Sequence, residues 1–337
     1  MNGPGRDPGR FLAAAGWDGA ARAHLAGDAS ARRYWRLRRG TETAILMDAP
    51  PGHGDDPADF LRIADHLAGL GLSPPRCLAA DLRTGFLLIE DLGDALYPAA
   101  IAADPGCEGP LYAAAAGVLA HLQAHPAPPG LPDLTAADWA EAAGLALTHY
   151  ATAIAGTVPD GSALTGALAE ALATRADGPR VLILRDFHAE NLLWLPHRAG
   201  MARVGLLDFQ LGQMGQPAYD LVSLVQDARR DLSPGIAAAT IRAFAEAAGP
   251  APGFDRALAV LGAQRALRIL GVFARLCLED GKPRYLSLLP RVWGHLQENL
   301  SHPALALLAA QCHHLLPPPT AANVERIARR CGQGLPR

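Results

Sequence analysis

The feature that most constrains this chain is a change of character at Gly93. Before it, from about Gly27 to Leu92, apolar residues alternate or fall in short runs; after it, long Ala/Leu-rich stretches take over. Tyr34–Arg38 and Thr43–Met47 predict two strands, the second ending at Pro50-Pro51. Pro57 opens a helix to Leu70 with Phe60, Ile63, Ala64 and Leu67 on one face, stopped by Gly69 and Gly71. Phe86–Ile89 predicts a further short strand. Helices follow near 110–125, 135–155 and 162–175, and again from Tyr219 to about Leu315. One strand-loop-strand unit, Val181–Leu184 and Val204–Leu207, interrupts them. The pattern is α+β: a small β-rich N-lobe over 1–92 and a larger, mainly helical C-lobe over 93–337.

At 337 residues the chain has room for two lobes, and a formal charge of -3 gives it no electrostatic grip on nucleic acid or an acidic membrane. The five cysteines (77, 107, 277, 312 and 331) are scattered and include no C-x-x-C pair, which argues against a disulfide framework and for a reducing compartment. Cys312-His313-His314 hints at a metal, but no second cluster completes it and a helix surface explains it as well. Phe11–Gly16 is too short for a signal-peptide core, and no run approaches the roughly 18 apolar residues of a membrane span. The expectation is a soluble, cytoplasmic protein with no membrane or nucleic-acid partner.

Chemistry concentrates in the interruption. Leu184-Arg185-Asp186-Phe187-His188-Ala189-Glu190-Asn191 leaves one strand, and Leu207-Asp208-Phe209-Gln210 leaves the next. An Asp and an Asn five residues apart, then an Asp after a second strand, are the parts that kinase-type phosphoryl transfer uses. One carboxylate takes the acceptor hydroxyl's proton, while an amide oxygen and a second carboxylate suit Mg²⁺. Alone, D-x-x-x-x-N is weak and equally describes loop residues. Its weight comes from the flanking apolar strands, the order of the acids and an upstream hinge-like strand. Rival motifs fail: Gly281-Lys282 is followed by Pro283, not the Ser or Thr of a phosphate loop, and there is no G-x-S-x-G.

These motifs resemble the aminoglycoside phosphotransferase/choline kinase superfamily, whose loop usually reads H-G-D-x-H-x-x-N; here Leu184 replaces the first histidine and His188 keeps the second. Tyr219-Asp220-Leu221-Val222-Ser223-Leu224 is similar to its Y-D-L-A-x-L helix. The segments Gly27–Tyr34, Leu46–Pro51, Gly85–Gly93, Gly271–Arg275 and Asp280–Tyr285 further resemble the anomeric amino-sugar kinases of bacterial cell-wall recycling. The likeness runs over roughly residues 20–300.

The resemblance implies a bilobal protein-kinase-like fold, ATP and Mg²⁺ as cofactors, and N-acetylmuramate or N-acetylglucosamine as acceptor, with the sugar 1-phosphate passed to a nucleotidyltransferase. It implies Asp186 as catalytic base and Asn191 and Asp208 as metal ligands. Ser30, Arg32 and Arg33 would lie on the nucleotide loop, with Glu90 and Leu92 in the hinge. His188, Glu190, Gln210, Arg275 and Arg284 are substrate-contact candidates, and Asp220 a support of the catalytic loop. His188 is equally readable as an anchor of the loop, and Arg275 and Arg284 as paired surface charges. One departure matters: the small-lobe lysine is missing, Met47 stands near its place, and the chain's only lysine is Lys282. The alternatives are a kinase for another small molecule and a nucleotide-binding regulator without turnover.

Overall fold

The computed structural model describes residues 6–25, 32–52, 54, 56–249 and 252–334. In chain order the elements are α1 (Pro8–Ala14), β1 (Ala21–Leu25), β2 (Arg33–Arg39), β3 (Glu42–Asp48), α2 (Pro57–Gly69), β4 (Cys77–Asp81), β5 (Phe86–Glu90), α3 (Tyr97–Ala103), α4 (Glu108–Gln123), α5 (Ala136–Ala143), α6 (Thr152–Ala155) and α7 (Ser162–Ala171). There follow β6 (Val181–Ile183), β7 (Leu192–Trp194), β8 (Val204–Leu206), β9 (Gln213–Gly215), α8 (Ala218–Val225), α9 (Ile236–Ala248), α10 (Phe254–Leu278), α11 (Leu289–Leu300), α12 (Ala306–Leu315) and α13 (Ala321–Ala328). The chain divides into two compact units, one of 1–131 with 184–213 and one of 132–183 with 214–337.

In the first unit, β1–β5 form an antiparallel sheet in the order β1-β2-β3-β5-β4, with Trp35 opposite Leu46 and Leu46 opposite Leu88. Ala44, Leu46, Phe86 and Leu88 share one face and pack with Leu12, Trp17 and Leu37. Ile45, Met47, Leu87 and Ile89, on the opposite face, are buried too. Burial on both faces is why β3 and β5 read as continuous apolar runs. Asp7 caps α1 by accepting from the Gly9 N–H, and Phe11 stacks on Phe86 with centroids 5.7 Å apart. Asp56 caps α2, Pro57 takes its first turn, and Phe60, Ile63, Ala64 and Leu67 are buried as their spacing predicts.

The second unit is built around α10. Its residues Val260, Leu261, Leu267, Leu270, Ala274 and Cys277 are fully enclosed in a core that also holds Trp139, Tyr150, Leu168, Tyr219 and Leu296. By length and mean composition α10 could cross a membrane, but Gln264, Arg265 and Arg268 interrupt it and 72% of that window is buried in the fold. That is the pattern of a core helix. Gly271 lets it approach the chain at Leu145: a Cβ there would lie 2.5 Å from the Leu145 carbonyl oxygen. The predicted helices at 135–155 and 162–175 are broken by π turns at Ala146–Ala151 and Leu172–Ala176. The two strands predicted in the interruption do not pair with each other; β6 pairs with β9, and β8 with β7. Cys312 is wholly buried in the core rather than on a helix surface, while the exposed His313 meets Gln297 at 2.9 Å.

Candidate active site

The segment after β6 folds as a series of tight turns. The Asp186 N–H donates to the Leu184 carbonyl (2.9 Å), the His188 N–H to the Asp186 carbonyl (3.1 Å), and the Asn191 N–H to the His188 carbonyl (2.8 Å). Leu184, Phe187, Ala189 and Leu192 are buried and anchor the loop from its apolar side. Its polar residues are tied to one another. Asn191 Nδ2 donates to the Asp186 carbonyl at 2.8 Å and lies 3.4 Å from His188 Nε2. These contacts fix the amide orientation and leave Oδ1 as the Asn191 atom suited to a cation. His188 is 4% exposed, so it sits inside the loop, whereas Glu190 is exposed on the turn at Ala189–Asn191.

The second motif meets the first through the β7–β8 ladder. Leu192 pairs with Leu206, and the Leu207 N–H donates to the Asn191 carbonyl at 2.9 Å. Asn191 and Asp208 therefore leave the same end of a two-stranded ribbon. Asp208 Oδ1 accepts from Arg32 Nη2 and from Gln210 Nε2, both at 2.9 Å. Its side chain remains 40% exposed. Phe209 is buried and stacks on Phe60 of α2 with centroids 5.0 Å apart, which pins the turn. Among the described residues, the non-glycine positions with positive φ are Arg185 (71°) and Asp208 (55°). Elsewhere the left-handed region is given to glycine, so backbone strain is gathered at the two motifs.

The end of β5 and the residues after it are held by charge. The Glu90 carboxylate accepts from Arg76 (3.1 Å) and Arg198 (2.8 Å), and the Glu90 N–H donates to the Arg76 carbonyl (2.8 Å). Arg36 of β2 spans Asp91 (2.9 Å) and Asp94 (2.8 Å). Hydrogen bonding to Asp94 raises the Arg36 pKa, and the same contact lowers that of Asp94. Leu92 overhangs Gly205 of β8: a Cβ on Gly205 would meet Leu193, Leu195 and Leu92 at 3.1, 3.2 and 3.3 Å.

Of the residues expected on a nucleotide loop, Ser30 lies outside the described residues. Arg32 and Arg33, though adjacent, have different partners. Arg32 meets Asp208, whereas Arg33 meets Asp48 at 3.2 Å and lies over the Trp35 ring. Asp48, which the sequence reading passed over, is 3% exposed and also pairs with Arg6. The signal available in the sequence was a carboxylate closing an apolar run, Ile45-Leu46-Met47-Asp48. In the second unit, Asp220 is fully buried on α8, Arg275 is exposed on α10, and Arg284 is exposed with its guanidinium over the Tyr285 ring at 5.1 Å. A cavity of about 410 Å³ lies apart from the Asp186–Asn191 loop, beside α1 and β4, lined by Asp7, Arg10, Phe11, Asp81 and Arg83 among others.

Comparison with known proteins accords with this geometry. The model of a phosphotransferase enzyme family, APH, matches residues 23–258. The chain is 38% identical to N-acetylmuramate/N-acetylglucosamine kinase of Caulobacter vibrioides, over 91% of this chain and 95% of that one. It is 35% identical to the enzyme of the same name from Pseudomonas aeruginosa, over 88% and 90%. Among solved structures, a choline/ethanolamine kinase family protein from Mesorhizobium loti superposes with a TM-score of 0.61 at 18% identity, over 90% of this chain and 97% of that one. An aminoglycoside-3'-phosphotransferase of type VIII gives 0.55 at 19%, over 78% and 98%. These superpositions define a kinase-like α+β fold. The chain belongs to the APH phosphotransferase enzyme family.

Proposed function

We propose that this protein transfers the γ-phosphoryl group of ATP to the anomeric hydroxyl of N-acetylmuramate or N-acetylglucosamine, giving the sugar 1-phosphate. The observation that carries the phosphoryl-transfer reading is the end of the β7–β8 ladder, where Asn191 and Asp208 emerge together and Asn191 Nδ2 grips the Asp186 carbonyl. Support for the acceptor comes from relatives that bear the names of those two sugars. Residues 1–92, which contain the whole five-stranded sheet, serve as the nucleotide lobe, and 93–337 as the lobe with the catalytic and metal loops.

The donor set fits Mg²⁺: an amide oxygen and a half-exposed carboxylate are hard ligands. Among the described residues, no group of three or more His, Cys, Asp or Glu could hold a metal. Asn191 Oδ1 and the Asp208 carboxylate would hold the cation. Bound there, Mg²⁺ would neutralise charge on the nucleotide phosphates. Asp186 orients the sugar hydroxyl and accepts its proton. Asn191 keeps the Asp186 backbone in register with the metal ligands, and Gln210 holds the Asp208 carboxylate. Glu90 and Leu92 bracket the adenine through the hinge backbone, while the Glu90 side chain cross-links Arg76 and Arg198. Ser30, Arg32 and Arg33 belong to the phosphate loop. Glu190, exposed on its turn, is assigned to the sugar side and the enclosed His188 to anchoring the loop, while sugar contacts by Gln210, Arg275 and Arg284 and the supporting role of Asp220 rest on the family resemblance alone.

The protein acts in the cytoplasm, in peptidoglycan recycling, and its product suits a sugar-1-phosphate nucleotidyltransferase. A panel of acceptors with ATP tests the substrate. Turnover of either amino sugar is expected. Turnover of an amino alcohol or aminoglycoside, with neither sugar phosphorylated, overturns it.

A further inference from the structure

Two of the five cysteines come together in the second unit, and no step of the proposed reaction uses them. Cys277 lies on the last turn of α10 and is wholly buried, while Cys331 lies in the turn after α13, half-buried against the same core. The backbone sets them side by side. The Gly332 N–H donates to the Cys277 carbonyl at 3.0 Å, and the Gly334 N–H to the Leu278 carbonyl at 2.9 Å. A hydrogen bond between Cys277 and the residue after Cys331 leaves the two Cα atoms at the separation a disulfide spans, roughly 4.4–6.8 Å. The side chains also meet: burial raises the Cys277 pKa most, and the adjoining Cys331 thiol raises it further.

We propose that Cys277 and Cys331 are a redox pair: hydrogen peroxide oxidises Cys331, and Cys277 then closes a reversible disulfide that clamps the C-terminal segment to α10. The difference in exposure sets the order. A thiol as enclosed as Cys277 stays protonated and resists oxidants in solution, so Cys331 is the sulfur that peroxide reaches. The Cys331 thiol takes one oxygen and becomes a sulfenic acid, and the rest of the peroxide leaves as water. The Cys277 sulfur attacks the Cys331 sulfur; the S–O bond breaks, the S–S bond forms, and the Cys277 proton leaves with the hydroxyl as a second water. Two thiols thus give two electrons and two protons to one peroxide. The bond stops Cys331 at the reversible rung, short of sulfinic acid, and exchange with a small thiol restores the pair. It also adds a covalent tie to a segment otherwise docked by contacts such as buried Ile327 and the Tyr150 hydroxyl, which donates to the Pro317 carbonyl at 2.6 Å.

The full chain, treated with hydrogen peroxide, blocked with N-ethylmaleimide, unfolded and digested, should yield a peptide pair joined through Cys277 and Cys331 within one molecule. The thermal midpoint of the cross-linked protein should rise by roughly 5 °C, because the bond closes the loop from 277 to 331 in the unfolded chain. Dithiothreitol should reverse both changes. Cys277→Ala should form no such cross-link and let Cys331 run on to sulfinic acid at the same peroxide dose. Cys331→Ser, at the half-buried position, should leave Cys277 a thiol, and it serves alone if the core variant unfolds. Three results overturn the proposal: wild-type protein with Cys331 as sulfinic acid and Cys277 still a thiol, a cross-link from either residue to a different cysteine, and an unchanged midpoint in the cross-linked protein.

Discussion

Replacing Asn191 by Asp separates the hydrogen bond this residue makes from the metal ligation proposed for it. Aspartate keeps an oxygen for the cation and adds a charge, so as a metal ligand it is no worse than asparagine. It loses the amide donor, however, and Nδ2 is the group that binds the Asp186 carbonyl at 2.8 Å. In its place a carboxylate oxygen faces a carbonyl oxygen at that distance. Losing the hydrogen bond costs about 1 kcal/mol, and leaving the carbonyl facing an acceptor adds about 1–3 kcal/mol. Asn191→Ala incurs mainly the first cost. In metal-free urea denaturation, Asn191→Asp should therefore be less stable than wild type by about 2–4 kcal/mol, and less stable than Asn191→Ala. The effect should depend on pH with a definite sign. The Asp186 carbonyl disfavours the charged form, so the introduced acid has a folded pKa above its unfolded value, near the ordinary 3.9. The folded state then binds the extra proton more readily, and the penalty relative to Asn191→Ala is full at pH 8 and shrinks as pH falls through the folded pKa. An Asn191→Asp protein as stable as wild type, or more stable than Asn191→Ala at pH 8, refutes the claim that the amide ties the loop.

Other consequences are equally direct. Gly271→Ala gains about 1 kcal/mol of helix propensity but drives a Cβ to 2.5 Å from the Leu145 carbonyl oxygen, which is backbone and cannot rotate away; a net loss of about 1–3 kcal/mol is expected in a denaturant melt. Arg185→Gly relieves a non-glycine residue at φ 71° and should raise stability by about 1 kcal/mol while lowering turnover; a fall in stability contradicts the strain argument. Burial lowers the His295 pKa, so the unfolded chain takes up a proton that the folded state resists, and stability declines as pH drops below about 6.5. His295→Gln should flatten that part of the stability–pH curve.

How much of this was legible in the sequence depended on what each element buries. β3, β5 and α2 could be read directly because their apolar residues are buried in unbroken runs or on one face. β1 and β4 lie at the sheet edges with most positions open to solvent, so no alternation marks them. α1 has seven residues and is held by a cap and by packing on Phe86, neither of which leaves a periodic signal. β9 is the three residues Gln213-Met214-Gly215, which carry no strand propensity, so the true partner of β6 was hidden. The Asp186–Asn191 motif was readable because its hydrogen bonds span five residues. The Arg32–Asp208 pair spans 176 residues and exists only in the fold.

The central claim is tested most directly by phosphorus NMR of the product formed from ATP and each amino sugar, with wild-type protein and with Asp186→Asn. The account expects a phosphate coupled to the anomeric proton, and a rate reduced roughly 10²–10⁴-fold in the variant. A phosphate on the 6-hydroxyl, or product formed equally fast by Asp186→Asn, contradicts it.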